Sequence, residues 1–170
     1  MPKRPAAIDP THVRIRRARR NDLAALVELE QGVFSSDRMS ARQLRHHLAN
    51  PLADILVAAH DGAVLGAAVV FFRRQHRIAR LYSVAIAARA RGMGLGAALL
   101  AAAERAAKAR RSTALRLEVR KDNAAAQSLY ERRGYQRFGA KAAYYEDGHD
   151  ALCYEKSLVP SARGAARGRG

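Results

Sequence analysis

A chain of 170 residues is long enough to bury one hydrophobic core, and 49% hydrophobic with 27% charged residues is typical of a globular domain. This composition excludes collagen, a coiled coil and a disordered polymer, and the single cysteine, Cys153, excludes an intramolecular disulfide. The formal net charge is +16, with basic residues concentrated at both ends. No run approaches the roughly 20 apolar residues that cross a bilayer, so we expect a cytoplasmic protein without a membrane segment.

The first half of the chain predicts a strand, two helices and a hairpin. Apolar and basic residues alternate over residues 12–17, which indicates an opening strand. The pair Asn21-Asp22 can begin a first helix, and a capping-box pattern at Ser40 begins a second helix that ends at Asn50-Pro51. Two apolar runs flank Asp61-Gly62, a pair that favours the tight turn of a β-hairpin.

The second half predicts alternating strands and helices around a glycine-rich loop. The expected elements are strands over 78–86, 114–119, 135–145 and 151–158 and an alanine-rich helix from the loop at 91–96 to about residue 111. Asn123 can cap a further helix that ends at Gly134. We expect one domain over 13–158, between a flexible basic lead-in (1–12) and a disordered basic tail (159–170).

The glycine-rich loop is a candidate phosphate site. A loop between a strand and a helix N-terminus offers closely spaced backbone N–H groups at the positive end of the helix dipole. Side chains at Gly94 and Gly96 would block the approach of a pyrophosphate, and Arg89 and Arg91 add positive charge. This pattern indicates a nucleotide-containing cofactor.

Two classes of cofactor fit the loop. The residues Gly92-x-Gly94-x-x-Ala97 match the dinucleotide fingerprint, and Glu118 lies about 20 residues later, where that fingerprint has an acidic residue. Such a domain needs a doubly wound parallel sheet, and too few strand–helix units follow the loop to build one. A dinucleotide-binding oxidoreductase is therefore the alternative and not the main hypothesis.

A longer pattern resembles the GCN5-related N-acetyltransferases (GNAT). The residues Arg91-x-x-Gly94-x-Gly96 are the arginine form of the family's Q/R-x-x-G-x-G/A signature. Residues 117–135 and 144–151 (YYEDGHDA) are similar to the corresponding segments of its RimI-type branch, and the strong similarity covers residues 78–158. The resemblance implies an α/β fold, a three-layer α/β/α sandwich with a mixed, mostly antiparallel central sheet, and acetyl-CoA as cosubstrate.

The resemblance also implies which residues bind the coenzyme. The backbone of the strand before the loop would bind the pantetheine like an added strand, at Val84, Ala85 and Ile86. The loop would bind the pyrophosphate, at Arg91, Gly92, Met93, Gly94, Leu95 and Gly96. Asn123 matches a coenzyme-contacting asparagine, although a helix cap is a sufficient reason for this residue type. The six histidines show no metal-ligand spacing, so no metal is expected.

The family match assigns Glu118 as the general base and Tyr130 as the general acid of a direct transfer to an amine. Leu117 and Val119 share one strand face, so Glu118 points to the other face. From the residues alone, Glu118 also fits a solvated charge ladder, and Tyr130 also fits an aromatic packed at a helix edge. Cys153 need not act as a nucleophile, and packing is the favoured interpretation.

The acceptor is the least determined part of the prediction. The RimI-type branch acetylates protein N-terminal amines, including a ribosomal protein, and Phe34, Tyr144 and Tyr145 are candidates for the acceptor mouth. Residues 33–40 read VFSSDRMS where that branch has a phenylalanine followed by Pro-Trp-Ser, so lysine side chains and small amines stay open as acceptors. The charge alone also fits a nucleic-acid-binding module, with the basic ends making nonspecific contacts.

Overall fold

A computed structural model of the chain describes residues 7–160, which form seven strands and four α-helices. In chain order they are β1 (Arg14–Arg17), α1 (Leu23–Val33), α2 (Ala41–Ala49), β2 (Ala53–His60), β3 (Ala63–Phe71), β4 (Ile78–Ile86), α3 (Leu95–Ala109), β5 (Ala114–Arg120), α4 (Ala124–Arg132), β6 (Gln136–Lys141) and β7 (Ala151–Ser157). The described end of the expected lead-in forms a short 3-10 turn at Pro10–His12. Residues 1–6 and 161–170 of the expected lead-in and tail lie outside the described residues.

The seven strands form one sheet in the order β1-β2-β3-β4-β5-β7-β6. Neighbouring strands are antiparallel except β4 and β5, which are parallel because α3 crosses over between them. β7 lies between β5 and β6. The predicted mixed, mostly antiparallel sheet is confirmed, and the doubly wound parallel sheet of the dinucleotide alternative is not formed.

Helices cover both faces of this sheet, which confirms the three layers. Apolar residues of α1 and α2 pack against one face together with Met39, Ile55, Val57, Val64, Ala67, Val69 and Ala85. The long helix α3 packs on the opposite face, where Tyr130 of α4 joins the same cluster. None of the helices within residues 7–160 is long and apolar enough to cross a membrane.

The parallel pairing of β4 with β5 stops halfway along β4. Four residue pairs join the two strands and end at Leu81 opposite Leu117, whereas β4 continues to Ile86. A β-bulge lies at this point, with Tyr82 as the extra residue on β4 opposite β3. Because a bulge bends a strand and increases its twist, β4 follows β3 and separates from β5. The backbone edge of β4 beyond Leu81 therefore faces an opening.

Local signals in the sequence account for most element boundaries. The capping box of α2 is formed between Ser40 and Gln43, and Asn123 caps α4 by accepting a hydrogen bond from the Ala126 N–H at 3.1 Å. The strand predicted over 135–145 is shorter in the structure, where it is β6 and ends at Lys141. Residues 142–150 form turns instead, before β7 begins opposite the end of β6.

Candidate active site

A groove of about 760 Å³ opens where β4 and β5 separate. Its walls are the divergent ends of these two strands, the N-terminal part of α4, the loop after α1 and the turns before β7. Eight of the residues predicted from the sequence line it together: Phe34, Val84, Arg91, Glu118, Asn123, Tyr130, Tyr144 and Tyr145. The fold therefore brings predicted coenzyme, catalytic and acceptor residues to one place.

The other predicted coenzyme residues lie in or beside the glycine-rich loop and do not line the groove with their side chains. Ala85 and Leu95 are buried, while Ile86 and Met93 pack against the core cluster under α3. The expected added-strand contact and pyrophosphate site use main-chain groups, so the assignment of these positions to the coenzyme stays a prediction.

The loop presents the N-terminus of α3 without a side-chain cap. Gly94 is the capping residue, with φ at +75°, and Gly92 has φ at +79°, both in the left-handed region that favours glycine. Among residues 7–160, no side chain accepts a hydrogen bond from the first turn of α3. A Cβ at Gly96 would lie 3.4 Å from Leu129 Cδ2, in ordinary van der Waals contact. Uncapped N–H groups at the start of a 15-residue helix fit an anionic group.

Glu118 is held by two cations that sequence reasoning did not assign to it. Its side chain is 14% exposed, and its two oxygens accept hydrogen bonds from Arg80 Nε at 3.1 Å and Lys141 Nζ at 2.8 Å. The arginines on either side of it in β5 pair elsewhere, Arg116 with Glu155 and Arg120 with Asp147. The charge ladder considered for this face is therefore formed through Glu118, between Arg80 of β4 and Lys141 of β6, and Glu118 also lines the groove.

Tyr130 is buried, and its hydroxyl has no hydrogen-bond partner among residues 7–160. Its ring packs against Tyr135 at 5.7 Å and Tyr154 at 6.5 Å between ring centroids. Both neighbours are partnered: Tyr135 Oη donates to Glu104 at 3.0 Å and Tyr154 Oη to Glu131 at 2.8 Å. Burial raises the pKa of Tyr130 to about 12. The Tyr130 hydroxyl is therefore a protonated and uncommitted donor on the groove wall.

Aromatic and charged side chains form the outer part of the groove. Tyr144 and Tyr145 pack edge to face at 5.0 Å, and Tyr144 accepts a hydrogen bond from Arg80. The loop after α1 meets the turns before β7 through reciprocal contacts: the Asp37 N–H donates to Glu146 Oε2 at 3.3 Å, and the Glu146 N–H donates to Asp37 Oδ1 at 3.2 Å. Two segments that are far apart in the sequence thus meet at the entrance of the groove, beside the predicted acceptor residues Tyr144 and Tyr145.

A family model described as the acetyltransferase (GNAT) family matches residues 21–135. The chain belongs to the GNAT family of N-acetyltransferases. The match spans α1 to α4 and so contains the groove walls at β4 and β5 together with the glycine-rich loop.

Known relatives of this acetyltransferase include ribosomal-protein modifiers. The chain is 33% identical over 143 residues to a Bacillus subtilis protein provisionally named a [ribosomal protein bS18]-alanine N-acetyltransferase, covering 84% of this chain and 93% of the relative. The ribosomal-protein-S18-alanine N-acetyltransferase of Escherichia coli has a similar structure, with a TM-score of 0.78, 25% identity and coverage of 88% and 96% of the two chains. A Brucella melitensis ribosomal-protein-alanine N-acetyltransferase gives a TM-score of 0.75 at 27% identity, covering 85% and 99%.

Sequence reasoning did not assign a role to Arg80, Tyr82, Glu30 and Asp37, which line the groove, or to Lys141, which contacts Glu118 beside it. Arg80 and Tyr82 alternate in β4 with apolar residues that face the core, and this period of two is a signal that could have found them. Glu30 is buried in α1, where it accepts a hydrogen bond from the Met39 N–H at 2.9 Å and burial raises its pKa. Nothing local in the sequence indicates that Lys141 reaches Glu118.

Proposed function

We propose that this GNAT enzyme transfers an acetyl group from acetyl-CoA to a protein N-terminal α-amine, with a ribosomal protein that begins with alanine as the first candidate acceptor. The named ribosomal-protein acetyltransferases among its relatives support this acceptor class. The observation that carries the proposal is that Glu118 and Tyr130 line the groove where β4 leaves β5. An enzyme acting on a ribosomal protein would work in the cytoplasm.

The chain offers sites for the pantetheine and the pyrophosphate of acetyl-CoA. The free edge of β4 at residues 84–86 presents backbone groups to the pantetheine, and the uncapped start of α3 with Arg91 presents donors and charge to the pyrophosphate. Asn123 lies on the same groove, although its side-chain oxygen already caps α4. The bound cosubstrate would supply the acetyl thioester. Residues 7–160 hold no group of three or more His, Cys, Asp or Glu side chains placed for a metal ion.

Two side chains of the groove would assist the transfer, one by accepting a proton and one by donating a hydrogen bond. An acceptor amine arrives as an ammonium and must lose a proton before it can attack, and Glu118 is the carboxylate placed to accept it, directly or through water. Tyr130 donates a hydrogen bond to the departing sulfur. Because its pKa of about 12 exceeds the roughly 8.5 of a thiol, full proton transfer to the thiolate is unfavourable, so Tyr130 stays protonated and stabilises the charge that develops on the sulfur, and the thiolate takes its proton from solvent.

Cosubstrate binding is the first test. We expect acetyl-CoA at 100 times its dissociation constant to stabilise the native protein by roughly 2.7 kcal/mol in thermal unfolding, and NADH to have no effect. Stabilisation by NADH alone would support the dinucleotide alternative. Salt-sensitive RNA binding without any effect of acetyl-CoA would support the nucleic-acid-binding alternative.

The acceptor class is tested with matched peptides. One peptide has a free N-terminal alanine and no lysine, a second is the same peptide with its α-amine blocked, and a third is the blocked peptide with one internal lysine. We expect turnover of the first peptide only. Equal turnover of the third peptide would assign lysine side chains as acceptors, and turnover of free amines alone would assign a small-molecule substrate.

Replacing Tyr130 with phenylalanine should lower kcat by about 10- to 100-fold, because the ring still packs while the hydrogen bond to the leaving sulfur is lost. The stabilisation by acetyl-CoA should not change. The wild-type rate should show no alkaline loss from Tyr130 below about pH 11, since burial keeps this hydroxyl protonated up to its pKa of about 12.

Tyr135→Phe is the matched control for this prediction. Tyr135 packs edge to face against Tyr130, but its hydroxyl is bonded to Glu104 and not exposed to the groove. Its loss should cost about 1 kcal/mol of stability and leave kcat within a factor of about 2. Equal effects of the two substitutions on kcat would remove the assigned role of Tyr130.

A further inference from the structure

The side chain of Lys141 brings a primary amine of the chain itself into contact with Glu118, the candidate general base. Its Nζ lies 2.8 Å from Glu118 Oε1 and 5.1 Å from the ring centroid of Tyr144, and both partners line the groove. The side chain is 49% exposed, so it is not locked in a packed core. The Glu118 hydrogen bond raises the pKa of Lys141 and holds it as an ammonium.

Strand order explains how this lysine reaches across the sheet. Lys141 is the last residue of β6, and β7 lies between β6 and β5. On β7, Ala151 pairs with Lys141 and Cys153 pairs with Glu118, and both of these residues are small and buried. A long aliphatic stem can cross two small residues, whereas larger side chains there would lift it away from Glu118.

The position of Nζ satisfies the geometry required of an acceptor. A general base acts on a proton whose donor atom lies about 2.6–3.2 Å away, or on one reached through a water. Lys141 Nζ meets this distance. Arg80 also contacts Glu118, but a guanidinium stays charged in proteins and is therefore not a nucleophile. Of the two cations on Glu118, only the lysine can be acetylated.

We propose that the chain acetylates its own Lys141, whose Nζ contacts the groove residue Glu118. This inference rests on the proposed function, since it uses the same base and the same acetyl donor. The bond between Nζ and the acetyl carbon forms while the carbon–sulfur bond of the thioester breaks. The lysine ammonium loses two protons in all: one passes through Glu118 to solvent, and the other is released as the amide forms and replaces the proton that the thiolate of coenzyme A takes from solvent.

Acetylation of Lys141 would change the site in a defined way. The amide that replaces the ammonium carries no charge, so the 2.8 Å ion pair with Glu118 is lost and Arg80 remains as its cationic partner. An acceptor amine then no longer competes with Lys141 for the base. Self-acetylation therefore activates the enzyme toward its acceptor.

The test is to incubate the full chain with acetyl-CoA, without any acceptor, and to map acetylated lysines by mass spectrometry over time. Lys156 is the matched control, because it is also ion-paired, with Glu104 at 3.1 Å, but this partner does not line the groove as Glu118 does. We expect Lys141 to be acetylated at least about 100-fold faster than Lys156, and Glu118→Gln to remove this difference. A per-molecule rate that does not change on dilution shows reaction within one chain.

Two results overturn the inference. One is acetylation of Lys141 no faster than of Lys156, and the other is an undiminished Lys141 rate in Glu118→Gln, which indicates nonenzymatic acetylation. The same preparations are assayed for acetyl-CoA binding and turnover of the N-terminal peptide. Peptide turnover without Lys141 acetylation overturns this inference alone, whereas loss of both reactions overturns the proposed function as well.

A second readout needs no acetyl-CoA. The lysines can be labelled with ¹³C-methyl groups and titrated by NMR in the wild type and in Glu118→Gln. We expect the Lys141 resonance to titrate at lower pH in the variant, because the carboxylate that stabilises its ammonium is gone. An unchanged titration would show that Lys141 does not contact Glu118 in solution and would remove the basis of the proposal.

Discussion

Replacing Glu118 with glutamine should lower kcat for an N-terminal peptide by about 10²- to 10⁴-fold, which is the usual contribution of a general base. Glutamine keeps the size of the side chain and can still accept hydrogen bonds, but it cannot take a proton from an ammonium. Acetyl-CoA binding should be unchanged, because the expected coenzyme contacts lie on β4 and in the loop before α3. The measurements are steady-state kinetics and thermal unfolding with and without acetyl-CoA.

Glu155→Gln is the matched control. Glu155 is a carboxylate on the neighbouring strand β7, and it pairs with Arg116 of β5 much as Glu118 pairs with Arg80. Its removal breaks one partly exposed ion pair, so it should change stability by no more than about 1 kcal/mol and leave kcat unaltered. A similar loss of kcat in both variants would mean that Glu118 contributes to stability and not to proton transfer.

Sequence patterns predicted the elements that are determined locally. The cap at Ser40, the asparagine cap at Asn123 and the tight turn at Asp61-Gly62 depend on side-chain and backbone geometry within a few residues. The strand over 135–145 was predicted too long because its apolar pattern continues past Lys141. There the chain leaves the sheet and the Ala143 N–H bonds to Asp150, seven residues later.

The surroundings of Glu118 depend on contacts between distant residues and could not be predicted in this way. Arg80 is 38 residues before it and Lys141 is 23 residues after it. Arg80 lies on β4, which is the parallel neighbour of β5 on one side. Lys141 lies on β6, and β7 separates β6 from β5 on the other side. The sequence shows charges at these positions, but the strand order decides which of them become neighbours. The family resemblance placed Glu118 in the site without showing its partners.

Replacing Gly94 with aspartate should abolish acetyl-CoA binding. The new carboxylate would lie at the start of α3, where the pyrophosphate is expected. Repulsion between two charges about 4 Å apart near a protein surface weakens binding by about 4 kcal/mol. We therefore expect the dissociation constant to rise by at least about 100-fold. The helix itself should form at a small cost, because the negative charge of aspartate is favourable at a helix N-terminus while its side chain is strained at φ +75°.

Gly62→Asp separates this effect from backbone strain. Gly62 has φ at +79° against +75° at Gly94, and a Cβ at either position meets nothing within 4 Å, but Gly62 lies in the turn between β2 and β3. Both variants should lose a similar, small amount of stability, since aspartate adopts positive φ more readily than most residues. Only Gly94→Asp should lose the stabilisation by acetyl-CoA in thermal unfolding. If Gly94→Asp still binds acetyl-CoA as tightly as Gly62→Asp does, the pyrophosphate does not bind at the start of α3.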